Sequence, residues 1–270
     1  MPLELAQKWI WITGASSGIG RQLALEAASK GARVLLSGRH RETLERVEVD
    51  CQVRSTQNGH AGGHALLVFD LLDRPARIHA VSQALAVAGT FALVILNAGI
   101  SQRSSFADLS PLAFDQILDL DFMAPVDLTR ALLPSMQPGS GFVLVSSVSG
   151  LLGTPGRSAY SAAKHALTGF GAVLRSELYS RQISVTTAFP GYVRTGIDRA
   201  ALGADGAQQG HTDARTQKGA DPAVVAQKLL RDAQGGKAHS YLAFKLESHY
   251  GLWAARLLPG LYARVSSKRR

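Results

Sequence analysis

The chain has 270 residues, 46% of them hydrophobic and 18% charged, which is enough to bury a substantial core and excludes a disordered chain. Its single cysteine, Cys51, excludes internal disulfide bonds and cysteine-rich zinc modules. The net charge is +9, no apolar run reaches the ~18 residues of a membrane-spanning helix, and no signal peptide is recognisable, so we expect a cytoplasmic protein.

Short apolar runs alternate with longer segments of helical period along most of the chain. The predicted strands are Lys8–Thr13, Arg33–Ser37, Ala65–Asp70, Phe91–Leu96, Gly141–Ser147 and Ile183–Phe189. The predicted helices are Gly18–Lys30, Arg41–Thr56, Pro75–Ala88, Pro111–Leu133 and Ala159–Ser180. Nearly continuous apolar strands joined by helices are typical of a parallel sheet covered on both faces. The pattern predicts one α/β domain over 1–270, a doubly wound parallel sheet of about seven strands with helices on both faces.

This regular alternation ends after the sixth predicted strand. Residues 190–219 are rich in Gly, Ala, Gln and Asp and follow the carboxyl end of a strand, where open α/β sheets bind ligands. A long loop at that place favours a substrate lid over idle disorder. A helix is predicted at Asp221–Ala233, with Asp221 as its N-cap, and a last strand at Ser240–Phe244.

Residues 245–270 form a basic, amphipathic tail. Its six basic residues face one acid, Glu247; they are Lys245, Arg256, Arg264, Lys268, Arg269 and Arg270. Its apolar residues are Leu252, Trp253, Leu257, Leu258, Leu261 and Tyr262. Such a segment suits the surface of an anionic membrane, while a solvated terminus or packing on the domain or on another subunit are alternatives. Nucleic acid is the least favoured partner, because no nucleic-acid-binding motif accompanies the charge.

A glycine-rich loop joins the first predicted strand to the first predicted helix. It reads Thr13-Gly14-Ala15-Ser16-Ser17-Gly18-Ile19-Gly20. Glycines allow the tight turn and the close approach of a pyrophosphate, and the helix N-terminus attracts that anion. The second strand ends in Ser37-Gly38-Arg39 with no acid before Glu42, and a cation at this place suits the 2′-phosphate of NADP(H) better than the free ribose of NAD(H).

At this point the chain resembles the short-chain dehydrogenase/reductase family over nearly its whole length. The loop above has the form TGxxxGxG, Asn97-Ala98-Gly99 is similar to the NAG motif, and Tyr160 and Lys164 fit YxxxK, with Ser147 thirteen residues earlier. Pro190 to Thr195 fit PGxxxT. Residues 204–213 and 258–261 look most like the branch of dehydrogenase/reductase member 7.

The resemblance implies a Rossmann domain with a catalytic Ser147, Tyr160 and Lys164. It also implies a set of cofactor contacts beyond Arg39. These are Gly14, Ser16, Ser17, Gly18, Ile19, Gly20, Asp70, Leu71, Asn97, Ala98, Gly99, Tyr160, Lys164, Pro190, Gly191, Val193 and Thr195. Homodimers or homotetramers, formed through the helices at Pro111–Leu133 and Ala159–Ser180, are implied as well.

The chemistry of Tyr160 and Lys164 agrees with a catalytic role. Tyr160 and Lys164 lie one helical turn apart and share a face. A tyrosine hydroxyl, with an ordinary pKa of ~10, is a poor base at neutral pH unless a nearby cation favours the phenolate. Where many members of the family carry Asn, this chain has Asp121, which either tunes the proton relay through Lys164 or weakens it.

These patterns predict an NADP(H)-dependent oxidoreductase that interconverts a ketone and a secondary alcohol. Ile100, Leu151, Leu152 and Tyr192 favour an apolar or lipid-like substrate. A catalytically weak nucleotide sensor and a peripheral membrane reductase of lipid ketones are the alternatives. No metal is expected, since His60 and His64 stand in a glycine-rich stretch that predicts a solvated loop.

Overall fold

The computed structural model describes residues 3–243 and 246–267. Its centre is one parallel sheet of seven strands in the order β3-β2-β1-β4-β5-β6-β7. The strands are β1 (Trp9–Thr13), β2 (Arg33–Gly38), β3 (Ala65–Val68), β4 (Leu93–Leu96), β5 (Gly141–Val145), β6 (Ser184–Pro190) and β7 (His239–Leu242). The chain therefore has the predicted Rossmann-type α/β fold.

Helices cover both faces of this sheet. The helices of the described residues are α1 (Gly18–Ser29), α2 (Arg41–Gln57), α3 (Arg74–Ala88), α4 (Pro111–Leu118), α5 (Ala124–Leu132), α6 (Ser158–Leu178), α7 (Ala214–Gln217), α8 (Pro222–Gln234), α9 (Leu246–Leu257) and α10 (Pro259–Ser267). The sheet is covered by α1, α2 and α8 on one face and by α3, α5 and α6 on the other. Alternate residues of β1 enter opposite cores, because successive side chains of a strand point to opposite faces. Ile10 packs with α1, α2 and α8, whereas Trp11 packs with α3, α5 and α6.

The helix predicted at Pro111–Leu133 is the one interior element that the sequence pattern describes wrongly. The chain forms α4, then a π-helical turn at Asp119–Met123, then α5, and a 3-10 turn ends the segment at Leu133–Ser135. A π turn holds one more residue than an α turn, and hydrophobic period cannot detect a single extra residue. The other predicted elements differ from the observed ones only at their ends.

The strand order reverses between β1 and β4, and this reversal opens a crevice at the carboxyl ends of the strands. The segment 190–219 runs over that crevice. It is held by single bridges from Gln102 to Leu202 and from Val193 to Ala220, and it contains the short helix α7. The bridge to Gln102 therefore ties this segment to the loop that follows β4.

The tail contains α9 and α10. Gly251 in α9 lies against Leu152, because a Cβ on Gly251 would be 3.3 Å from the Leu152 side chain. Trp253, Leu257, Leu258 and Leu261 are each more than half exposed. Four of the predicted basic residues, Lys245, Lys268, Arg269 and Arg270, and the predicted strand end Phe244 lie outside the described residues. Within the described part of the chain, no helix has both the length and the apolar character needed to cross a membrane.

His64 differs from the expectation of a solvated loop. Its Nδ1 accepts the Val34 backbone N–H at 3.2 Å, and its Nε2 lies 3.2 Å from the Ser55 hydroxyl. Burial lowers the pKa of His64, so the ring stays neutral between these two partners. The ring therefore ties β2 to α2.

Candidate active site

One cavity of about 340 Å³ lies at the carboxyl ends of the strands, beneath segment 190–219. Nearly every residue that the sequence analysis selected for the site lines this cavity. These are Gly14, Ser16, Ser17, Gly18, Ile19, Arg39, Asp70, Leu71, Asn97, Ala98, Gly99, Asp121, Ser147, Tyr160, Lys164, Pro190, Gly191, Val193 and Thr195. Three predicted residues do not line it: Gly20 of the cofactor set, and Leu151 and Leu152 of the residues expected near an apolar substrate. Residues spread over 180 positions of sequence therefore share one surface, as a bound cofactor and substrate require.

The glycine loop is held to the end of β4 by a compact set of hydrogen bonds. The Thr13 hydroxyl oxygen accepts the backbone N–H groups of Asn97 and Ala98 at 3.0 and 3.1 Å. The Asn97 amide nitrogen donates to the carbonyl oxygens of Thr13 and Gly14 at 3.0 and 3.3 Å. The NAG segment therefore fixes the shape of the loop.

Glycine is required at two loop positions for different reasons. Gly14 has φ +64°, and a Cβ there would lie 2.9 Å from the Ala98 Cα. A Cβ on Gly20 would overlap the Gly14 carbonyl oxygen and the Asn97 amide nitrogen. Gly20 lies behind the loop, so its predicted role changes from contact with the cofactor to close packing of α1 against the loop.

The N-terminus of α1 is free to bind an anion. Its N-cap Ser17 makes no side-chain capping hydrogen bond, and no acidic residue lies in the first turn. The unpaired N–H groups and the helix dipole therefore face the cavity as a cradle for a pyrophosphate. The narrow glycine backbone and this cradle fit a dinucleotide.

Arg39 lies at the end of β2 on the cavity wall. Its guanidinium is 4.0 Å from the Asp70 carboxylate, and the two side chains are 50% and 43% exposed. An ion pair this long and this exposed stabilises the fold little, so Arg39 remains available to another anion. His40, which the sequence analysis did not select, lines the cavity beside it.

The three catalytic candidates come from two neighbouring elements. Ser147 follows β5 and begins a 3-10 turn at Val148–Gly150, and its hydroxyl oxygen accepts the Ser149 N–H at 3.1 Å. Tyr160 and Lys164 lie in the first turns of α6, and the Lys164 ammonium is 5.7 Å from the centre of the Tyr160 ring. All three side chains are largely buried but line the cavity, so water has limited access to them.

Asp121 forms a buried ion pair with Lys164. The Asp121 side chain is 0% exposed, its Oδ2 is 3.2 Å from the Lys164 Nζ, and its Oδ1 accepts the Ile100 N–H at 2.8 Å. Burial raises the pKa of the Asp121 carboxyl, and the Lys164 ammonium opposes that rise. Lys164 also donates to the Val145 carbonyl oxygen at 3.0 Å, so the ammonium is held between β5 and the π turn.

Three further residues shape the site without belonging to a recognisable motif. The Gln102 amide oxygen accepts the N–H groups of Ala159 and Tyr160, which caps the start of α6. Arg103 forms an ion pair with Asp198, which is 2% exposed and belongs to segment 190–219. Sequence alone gives no signal for these contacts, because the partners are about 55 and 95 residues apart and follow no fixed spacing.

Comparison with known proteins identifies the family. The model of the short chain dehydrogenase family matches residues 8–204. Dehydrogenase/reductase SDR family member 7B of Bos taurus is 36% identical over 96% of this chain and 80% of its own length. A Drosophila melanogaster protein, dehydrogenase/reductase SDR family protein 7-like, is 34% identical over 98% and 81%.

Solved structures agree with these sequence relatives. A short-chain dehydrogenase from Streptomyces avermitilis superposes with a TM-score of 0.80 at 27% identity, covering 98% of each chain. A dehydrogenase/reductase from Sinorhizobium meliloti has a TM-score of 0.75 at 25% identity, covering 89% of this chain and 95% of its own. The chain therefore belongs to the short-chain dehydrogenase/reductase family, in the branch of members 7B and 7-like, and is an oxidoreductase that acts on CH–OH groups with a nicotinamide nucleotide.

Proposed function

We propose that this protein interconverts a ketone and a secondary alcohol with NADP(H) as its cofactor. The observation that carries the proposal is the meeting of Ser147, Tyr160 and Lys164 in the same cavity as the glycine loop. When bound, the nicotinamide nucleotide supplies or accepts the hydride. The chain's own residues bind the nucleotide, orient the carbonyl and move one proton.

The proton transfer follows from the side chains present. A carbonyl carbon that gains a hydride leaves a negatively charged oxygen, and the Tyr160 hydroxyl provides the proton for that oxygen. The Ser147 hydroxyl donates a hydrogen bond to the same oxygen and so polarises the carbonyl beforehand. The Lys164 ammonium stabilises the phenolate that remains on Tyr160. In the oxidative direction, the phenolate takes the proton of the alcohol.

Asp121 adjusts this chemistry through Lys164. A carboxylate 3.2 Å from the ammonium offsets part of the positive charge that acts on Tyr160. The protonated acid would leave that charge uncompensated. We infer that Asp121 tunes the proton transfer, rather than abolishing it as a nucleotide sensor would require.

The preference for NADP(H) rests on Arg39. The guanidinium is half exposed at the cavity wall, and its pairing with Asp70 is long. A phosphate dianion offers a planar guanidinium two oxygens and a higher charge than one carboxylate does, so a 2′-phosphate can replace Asp70 as its partner. Asp70 and Leu71 line the same cavity, and we expect the adenine of the cofactor to bind beside them.

The other expectations remain part of the proposal. The whole chain forms one domain, in which residues 190–219 act as a substrate lid. The substrate is a small molecule with an apolar part, for which Ile100 and Tyr192 line the cavity. The protein assembles as a dimer or tetramer in the cytoplasm. The exposed apolar side chains of the tail support a membrane surface as an additional contact.

Substitution of Tyr160 tests the reaction. Tyr160→Phe should lower kcat for ketone reduction by ~10³-fold, within the range for loss of an acid–base group, and leave NADPH affinity within a few-fold. If the wild type and Tyr160→Phe both bind NADPH but neither reduces any ketone of a broad panel, the protein is a nucleotide sensor and not a reductase.

Fluorescence titration with NADPH and NADH tests the cofactor. We expect tighter binding of NADPH, and a loss of ~10–100-fold in its affinity in Arg39→Ala, the cost of one charge-assisted contact. NADH affinity should stay the same. Equal binding of both nucleotides by the wild type would overturn the role of Arg39.

A further inference from the structure

Arg157 lines the same cavity, and no part of the proposed function uses it. It is the N-cap residue of α6, three residues before Tyr160, and its guanidinium lies 5.9 Å from the centre of the Tyr160 ring. Within residues 3–243 and 246–267, no side-chain hydrogen bond or ion pair of Arg157 is found. A half-buried guanidinium with five donors and no protein acceptor leaves its hydrogen bonds to water or to a ligand.

The neighbouring charges are already neutralised. The pKa of the Arg103 guanidinium is lowered mainly by burial and further by the nearby charge of Arg157. Arg103 pairs with Asp198 and lies 3.8 Å from Asp213. Two of the three carboxylates of the lid, Asp198 and Asp213, are therefore engaged by Arg103. The charge of Arg157 faces the cavity without a counterion among the described residues.

The position of Arg157 also separates it from the nucleotide phosphates. The pyrophosphate cradle is at the N-terminus of α1, and Arg39 stands at the end of β2. Arg157 instead lies beside the Tyr160 ring and near Arg103, on the side where the substrate carbonyl must reach Tyr160. An anion bound there belongs to the substrate.

We propose that Arg157 binds an anionic group of the substrate, a carboxylate or a phosphate monoester, a few bonds from the carbonyl. This inference rests on the proposed function and deepens it. The substrate then joins an apolar part to a charged end. Arg157 acts in binding, and Tyr160 keeps the proton transfer.

Matched ketones test the proposal. The probes are 4-oxopentanoate, its neutral methyl ester and 4-oxopentyl phosphate, each assayed by NADPH oxidation. For the wild type, kcat/KM should be higher with at least one of the two anions than with the ester. Arg157→Gln should lower that kcat/KM by ~10–100-fold, mainly through KM, with less than ~3-fold change for the ester. Arg157→Lys should retain part of the preference, because it keeps the charge but loses the two-pronged contact.

The control is Arg54→Gln, which removes an exposed cation from the last turn of α2 and should change nothing. The KM for the preferred anion should also rise with ionic strength in the wild type and much less in Arg157→Gln. Comparison of the carboxylate with the phosphate identifies which anion the site accepts.

Several results would overturn the proposal. An equal loss on the ester in Arg157→Gln would show that the guanidinium acts on Tyr160 rather than on an anion. A wild type that prefers the ester, or that neither reduces the two anions nor binds them in calorimetry with NADP⁺ present, would also refute it. Reduction of the ester in those cases would leave the proposed function intact, which keeps the two failures distinguishable.

Discussion

The two ends of the cavity are built in different ways. At the nucleotide end, the glycine loop offers backbone groups to a ligand, and the side chains of Thr13 and Asn97 fix the loop by hydrogen bonds to main-chain atoms. At the substrate end, the contacts are made by long side chains on separate loops, such as Arg103 with Asp198 and the isolated Arg157. The glycine loop suits a pyrophosphate by shape and dipole, with Arg39 as a charge beside it, whereas the substrate end relies on individual charges.

This difference has a mechanical consequence. The loop presents mainly backbone groups to a ligand and is closely packed at Gly14 and Gly20, so it should tolerate few substitutions. Charge contacts are replaceable one at a time, so the substrate end should change its selectivity without loss of the nucleotide site. Substitutions at Gly20 and Arg103 test whether the two ends are independent to this degree.

The largest effect is expected from Gly20→Ala. A Cβ there would overlap backbone and amide atoms of the loop, and overpacking of this kind costs ~1–3 kcal/mol. NADPH affinity should fall by ~100-fold as the loop shifts, measured by fluorescence titration. Gly169→Ala in α6 is the matched control, because no atom lies within 4 Å of its added Cβ. That variant should gain up to ~1 kcal/mol in the free energy of unfolding. Unchanged affinity in Gly20→Ala would show that the loop is not closely packed.

Arg103→Met should loosen the substrate end alone. The change leaves the buried Asp198 carboxylate without its cation, which destabilises segment 190–219 against the domain. We expect a rise of ~10-fold in KM for the ketone and faster proteolysis within residues 190–219, with the Kd for NADPH within ~3-fold of the wild type. Arg194→Met is the control, because its pair with Asp221 is half exposed and worth at most ~1 kcal/mol. A parallel loss of NADPH affinity in Arg103→Met would contradict the independence of the two ends.

Asp121→Asn tests the proton transfer, which takes place between the two ends of the cavity. Removal of a carboxylate 3.2 Å from Lys164 leaves the ammonium charge uncompensated, which favours the phenolate of Tyr160. The acidic limb of the pH profile for alcohol oxidation should therefore move to lower pH. The Asn side chain can still accept the Ile100 N–H, so the fold should persist. A profile that stays in place or moves upward would show that Asp121 is protonated in the wild type or acts only in packing.

The smallest effect is expected away from the cavity, where His64 joins the amino end of β2 to α2. Burial lowers the pKa of His64, so the unfolded chain binds a proton at a pH where the folded chain does not. The stability contributed by this ring is present above the ordinary imidazole pKa of ~6.5 and is lost as the pH falls through the lowered value. Between pH 7 and 5, Tm should depend less on pH in His64→Gln than in the wild type. His79→Gln, at an exposed position, is the control and should leave that dependence unchanged. Identical pH dependence in the wild type and in His64→Gln would refute this.

The sequence predicts the nucleotide end better than the substrate end, for a physical reason. Buried parallel strands are apolar throughout, and a loop that needs glycine at Gly14 and Gly20 leaves a mark in the sequence. The bonds of Gln102 to α6 and of Arg103 to Asp198 depend on how distant loops meet. No local pattern records such meetings.

The same limit explains the errors within single elements. The segment Pro111–Leu133 has a helical composition, but its π turn adds one residue. The spacing of apolar residues along the sequence does not show this extra residue. His64 is a polar residue in a glycine-rich stretch, and only the packing of α2 on β2 shows that its ring bridges the two.

The π turn at Asp119–Met123 sets a limit on how this helix can evolve. Asp119 bonds to the buried Arg77, while Asp121, two residues on, faces Lys164. An α-helix advances ~100° per residue, so deletion of one residue here would rotate α5 relative to α4 by about that angle. One of the two carboxylates would then lose its cation. Insertions and deletions across this stretch should accordingly be rare among relatives that keep both ion pairs, and an alignment that places a gap there marks a protein whose lysine is held in another way.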